Sequence, residues 1–187
     1  MRNLLAIIIL ALFFIQAEGR EVAGVELPES VELKGGADPL VLNGAGIRKK
    51  FFFSVYLASL YLPAVTNSAQ EILAMDTANR VQMDMLYSKV EKEKLISAWN
   101  DGFEANHSRE SLVSLQDRID QFNGMFETLV SGDRIQLDYL PGQGTKVVIN
   151  GSERGVIPGP DFNRALLKIW LGESPVTSGL KQDLLGG

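Results

Sequence analysis

Leu40-Val-Leu-Asn-Gly-Ala-Gly-Ile-Arg-Lys-Lys-Phe-Phe-Phe-Ser-Val-Tyr-Leu-Ala-Ser-Leu-Tyr-Leu62 decides how this chain is read. An aliphatic run, Leu40 to Asn43, leads into Gly44-Ala-Gly46. A single Arg48 follows, flanked by Lys49 and Lys50, and then an apolar run continues to Leu62. Aromatic and β-branched side chains suit a pleated, half-buried surface, so Phe51 to Leu62 reads as a strand with a cation at its mouth. Gly44-Ala-Gly46 lacks the third glycine and the strand-to-helix setting of a nucleotide fingerprint and reads as a turn or bulge. Arg48 offers a planar fork of donors that matches a carboxylate or phenolate and stays charged. Tyr56 shares strand parity with it. On a continuous strand the two would stand roughly 26 Å apart, so they can serve one ligand group only if the chain turns between them, at Lys49-Lys50.

Working outward, Val25 to Leu33 alternates loosely around Pro28, as edge strands do. Ser68 and Glu71 have capping-box spacing for a short helix over Thr66 to Met75. Val81 to Tyr87 alternates with the period of a half-buried strand. Ser88 and Glu91 repeat the capping-box spacing, and Leu95, Trp99 and Phe103 then fall on one helical face. A second amphipathic helix is expected from Arg109 to Val130. Arg134 to Leu140 and Thr145 to Ile149 read as strands, with Asn150-Gly151 signalling a type I′ hairpin. Pro158-Gly-Pro-Asp161 opens a helix that Gly172 stops after Leu171, and Ser178 to Leu185 forms a helical tail. Hairpins together with helices in blocks predict an α+β domain: an antiparallel sheet with a layer of helices on one face.

The 187-residue chain carries a net charge of −5, one histidine and no cysteine. An acidic chain with no basic cluster argues against a nucleic-acid partner and against a purely electrostatic hold on anionic membranes. Absence of cysteine excludes disulfides and thiolate catalysis. His107, between two helices, reads as an exposed loop residue, and with neither a second His nor a Cys there is no metal-ligand spacing. No cofactor motif is present. Met1-Arg-Asn, the apolar run Leu4 to Ile15 and the small residues after it match a secretory signal peptide with cleavage after Gly19. The run is shorter than the roughly 20 residues a membrane span needs. The expected organisation is a leader over 1–19 and one domain over 20–187, with no integral membrane span in the mature chain.

An aliphatic strand, Gly-x-Gly-x-Arg, and then Val55-Tyr-Leu-Ala-Ser-Leu-Tyr61 resembles the chalcone isomerase family, and most closely its exported bacterial chalcone isomerase-like branch. The resemblance runs from about Val25 to Leu185. It implies an open-faced β-sandwich and a periplasmic location. It also implies that Arg48 anchors the anionic end of a ligand, with Tyr56 as its partner on the following strand, as in the fatty-acid-binding relatives. Catalytic members use a Thr where this chain has Phe51, and a Ser or Thr where it has Ile169. They also use a Tyr, a Lys and an Asn at the start of a helix, and the stretch Ser88 to Leu95 has no Tyr inside the helix start. One Arg in otherwise apolar walls suits binding an amphiphile better than polarising a ketone. The reading is therefore an exported binder of a fatty acid or other amphiphilic carboxylate, without assigned catalytic residues. Two alternatives stay open: an intramolecular lyase of the chalcone isomerase type, and a cell-envelope interaction module with no ligand.

Overall fold

The computed structural model describes residues 19–187; the leader expected over 1–19 lies outside them except for Gly19. The elements run β1 (Arg20–Val22), β2 (Val25–Leu27), β3 (Ser30–Val31), β4 (Leu40–Lys50), β5 (Phe53–Leu62), α1 (Ala69–Ala74), β6 (Asn79–Met85) and β7 (Lys89–Val90). They continue with α2 (Lys92–Asn106), α3 (Arg109–Asn123), β8 (Leu129–Val130), β9 (Arg134–Leu140), β10 (Gly144–Ile149), β11 (Ser152–Ile157), α4 (Pro160–Leu171) and α5 (Ser178–Leu184). Seven strands form one sheet in the order β11-β10-β9-β6-β5-β4-β3, with every neighbouring pair antiparallel. The sheet curls into a half-barrel with the helices on one side, the α+β layering that the pattern of hairpins and helix blocks predicts. At the β10–β11 turn Asn150 and Gly151 take φ of 51° and 77°, the left-handed pair that a type I′ turn needs.

Each face of the sheet has its own chemistry. Toward the helices it presents Ala58, Leu60, Val81, Met83, Ile135 and Leu137, all buried. The stripe Leu95, Trp99 and Phe103 of α2 packs on them with Phe122 of α3 and Trp170 of α4. The aromatic rings meet edge-on, with centroids 5.4 Å apart for Trp99–Phe122 and 5.8 Å for Trp99–Trp170, the geometry that ring quadrupoles favour. The opposite face carries Arg80, Gln82 and Asp84 of β6 against Asp138, Gln136 and Arg134 of β9. Arg80 donates to both carboxylate oxygens of Asp138, at 2.6 and 2.7 Å. Arg134 pairs with Asp84, and Gln136 donates to Gln82.

The structure settles four local expectations. Of the turn or bulge expected at Gly44-Ala-Gly46 it is the bulge that forms, one residue earlier at Asn43: β4 runs through the glycines, and Leu42 pairs with Tyr61 while Gly44 pairs with Leu60. A bulge inserts one residue and so switches which face later side chains occupy. Leu40 and Leu42 therefore pack on the back of the sheet with Leu33, Tyr61 and Leu140. Gly44, Gly46 and Arg48 share the helix face with their partners Leu60, Ala58 and Tyr56. Asn43 is pinned at both ends of its amide, donating to the Leu184 carbonyl at 2.7 Å and accepting from the Thr66 N–H at 2.8 Å.

The Ser88–Glu91 capping box does not form. Lys89 and Val90 pair with β8 instead, and α2 starts from Glu91 without a side-chain cap. The Ser68 cap does form, with Ser68 Oγ accepting from the Glu71 N–H, but the Glu71 carboxylate accepts from Thr66 rather than reaching back to Ser68. Finally, α3 ends at Asn123, and Leu129-Val130 is a strand, since Gly124 interrupts the expected longer helix.

Candidate functional site

The chain between Arg48 and Tyr56 turns at Phe51-Phe52, two residues beyond the expected Lys49-Lys50. Phe51 takes φ of 56°, a conformation that bulky residues adopt only at a cost. The turn makes Arg48 and Tyr56 direct cross-strand partners. The Arg48 guanidinium carbon lies 5.8 Å from the Tyr56 ring centroid, within cation–π range. A second register shift, between Arg48 and Lys49, leaves Val55 as the extra residue on β5. Val55 and Tyr56 therefore both reach the same cavity despite being adjacent.

That cavity has a volume of about 320 Å³, at the small end for ligand pockets. Its floor is the hairpin end of the sheet, with Val55, Tyr56, Met83 and Met85, and its roof is Leu95, Ala98 and Trp99 of α2 with Ile169 of α4. Arg48, Lys50, Lys89 and Lys94 line it too, and among the described residues no carboxylate does. Among the described residues no acidic group comes within ion-pair distance of Arg48. On its outer side Arg48 borders a more open depression that Glu93 and Asp101 also line.

The glycines explain why the cavity starts where it does. A Cβ on Gly44 would lie 2.7 Å from the Leu184 carbonyl carbon, and one on Gly46 would collide with the Asp183 side chain. The two bare positions let α5 lie directly on β4. Two residues further along the same face Arg48 lines the cavity, together with Val176 of the segment that precedes α5. The motif thus does packing work at its glycines and leaves the arginine partly exposed.

Tyr56 is buried and polarised. Trp170 Nε1 donates to its hydroxyl oxygen at 3.0 Å. Indole can only donate, so the Tyr56 proton remains for another acceptor. Burial pushes the Tyr56 pKa up, opposed by Arg48 and by the Trp170 hydrogen bond, so the hydroxyl stays protonated at neutral pH. Trp99, read from the sequence only as a core residue, also lines the cavity, and its buried indole N–H has no hydrogen-bond partner among the described residues. The helical stripe places Trp99 in the core, but only the tertiary packing leaves that donor unmet.

Phe51 and Ile169, the two positions that the resemblance sets against hydroxyls of catalytic members, both line the cavity. Phe53 lines it as well and meets Tyr87 edge-on with centroids 5.4 Å apart, while Phe52 lies outside it. His107 departs from the expected exposed loop position. It is partly buried at the end of α2, its Nδ1 is 2.9 Å from the Phe103 carbonyl, and burial lowers its pKa. No group of three or more potential metal ligands occurs among the described residues.

The chain matches the chalcone isomerase-like family model over residues 19–186, and it belongs to that family. The crystal structure of a fatty-acid binding protein from Arabidopsis thaliana superposes on it with a TM-score of 0.70 at 18% identity, covering 90% of this chain and 96% of that one. That likeness establishes the shared fold. No curated protein matches the sequence.

Proposed function

We propose that this protein binds a fatty acid or another amphiphilic carboxylate and performs no chemistry on it. The observation that carries the reading is the cavity lining: apolar walls, four cations and no carboxylate, in a chain whose net charge is −5. A carboxylate at Arg48 would find a bidentate donor and, beside it, the free proton of Tyr56. The unmet Trp99 N–H supplies a further donor. The acyl tail would lie against Met83, Met85, Leu95 and Ile169. A fatty-acid binding protein of the same fold supports the choice of ligand class. The polar groups that would organise water and polarise a ketone are replaced by Phe51 and Ile169, which weighs against cyclisation.

Export to the periplasm, cleavage after Gly19, a single domain over 20–187 and membership of the exported bacterial branch belong to the same proposal. Export and cleavage rest on the basic start and apolar run of residues 1–15; the periplasm and the bacterial branch rest on the resemblance carried chiefly by residues 40–62. Among the described residues no helix is long and apolar enough to cross a membrane.

Native mass spectrometry with lipid extraction, on protein purified from its own compartment beside Arg48→Ala, tests the reading. The expected result is a co-purifying acyl or carboxylate ligand that the substitution removes. Ligand-free spectra for both proteins would turn the reading toward an interaction module without a ligand. Arg48-dependent cyclisation of a hydroxychalcone above its spontaneous rate would turn it toward the lyase.

A further inference from the structure

The β4–β5 turn projects three consecutive phenylalanines at the edge of the cavity, Phe51, Phe52 and Phe53, residues 85%, 98% and 56% exposed. Tyr87, 37% exposed, stands against Phe53. Such exposure is costly in water, since aromatic rings carry the largest apolar area per residue. Cations ring the tip: Lys49 and Lys50 precede it in the turn, and Lys89 and Lys94 face it across the cavity. Only Lys89 has a close acidic partner among the described residues, Glu91 at 2.8 Å. Phe51 also sits in the left-handed region, a strain that is retained where a surrounding role requires it.

We propose that this tip docks on an anionic lipid bilayer, with the phenylalanines in the headgroup and acyl boundary and the lysines on the lipid phosphates, so that the cavity opens onto the membrane surface. A projecting point of aromatic side chains inside a cationic ring matches the interfacial binding mode of apolar insertion plus electrostatic attraction. A second copy of this chain is the poorer fit, because two tips brought together would oppose lysine to lysine. The proposal rests on the ligand-binding reading for its consequence, direct transfer of an acyl chain between bilayer and cavity. The docking itself is measured without ligand.

Because the chain has no cysteine, Phe52→Cys gives a single site for an environment-sensitive fluorophore on the full mature protein. With vesicles of equal phosphatidylglycerol and phosphatidylcholine at low salt, the emission should shift to the blue and be quenched by shallow spin-labelled lipid; pure phosphatidylcholine should give much less. Flotation of the unlabelled Phe52→Ser/Lys49→Glu variant should show roughly a tenfold or greater loss of partitioning. Neither residue lines the cavity, so fatty-acid affinity in solution should be unchanged. Arg48→Ala should do the reverse, losing the fatty acid while keeping vesicle binding within about fivefold, the cost of one cation near the surface. Wild-type protein that fails to float with anionic vesicles, or a Phe52→Ser/Lys49→Glu variant that floats equally well, would overturn the docking. So would a wild-type dimer that Phe52→Ser dissociates, which would assign the tip to self-association. An Arg48→Ala variant that retains fatty acid would count against the binding reading alone.

Discussion

Arg48 and Arg80 stand on opposite faces of the same sheet. Arg80 meets the Asp138 carboxylate across the β6–β9 pair with two short hydrogen bonds, and its side chain is only 10% exposed. Arg48 meets an aromatic ring across the β4–β5 pair. Its other flank is open, since β3 pairs with β4 only at Leu40 and Val41. The same side chain is a closed structural element in one place and an available donor in the other. Register makes the difference, because it decides which residue stands opposite.

The largest expected effect is at Arg80. Arg80→Ala strands a buried carboxylate and should cost about 3–5 kcal/mol in urea unfolding. Arg48→Ala should cost less than about 1 kcal/mol, as truncation of a partly exposed group without an acidic partner does. Equal losses would break the comparison. It sharpens with Arg80→Met/Asp138→Leu, which should regain most of the lost stability, because a buried ion pair is replaceable by apolar volume while half of one is not.

Next comes Tyr56→Phe, which leaves the Trp170 N–H buried without an acceptor and should cost about 1–3 kcal/mol. If Tyr56 is held by Trp170 and not by Arg48, the stability losses of Tyr56→Phe and Arg48→Ala will add; a large coupling would show that the arginine is structural after all. Tyr56 also sets an alkaline limit. Burial holds its folded pKa above the ordinary tyrosine value of 10.0, so the unfolded chain ionises first. Its contribution is therefore complete below about pH 10 and lost as pH rises through the folded value. Melting temperature should fall above pH 10, and less steeply in Tyr56→Phe. The smallest effect is Phe51→Gly, which relieves the left-handed φ and should stabilise by up to about 1 kcal/mol without moving Arg48 from Tyr56. A chemical-shift change at Tyr56 or Trp170 would show instead that Phe51 holds the register.

Local chemistry made much of the architecture legible. Asn150-Gly151 supplies its own left-handed pair, Pro160 and Gly172 bracket α4, and the stripe Leu95, Trp99 and Phe103 announces the buried side of α2. The helix layer on an antiparallel sheet follows from those elements, and Arg48 and Tyr56 stand out by residue type. The turn between them was hidden because Phe51-Phe52 contains none of the Gly, Asn or Pro residues that mark turns. The Ser88–Glu91 spacing misled because pairing of Lys89-Val90 with β8 outweighs a local cap. The orphaned Trp99 donor and the roles of Gly44 and Gly46 arise from contacts with distant elements, Ile169 and Asp183 among their neighbours. Periodicity carries no trace of such contacts.

The extra residue at Asn43 acts as a frameshift in a two-letter code. Upstream of it, even-numbered positions are addressed to the back of the sheet; downstream, the same even numbers are addressed to the helices. A single strand can thereby seal one compartment with Leu40 and Leu42 and furnish another with Arg48. An insertion of one residue between Gly46 and Arg48 would leave the composition almost untouched and deliver the guanidinium to the wrong side of the sheet. Relatives with gaps in this stretch therefore need to be compared by phase, counted from the bulge, before an aligned arginine is taken to do the same job.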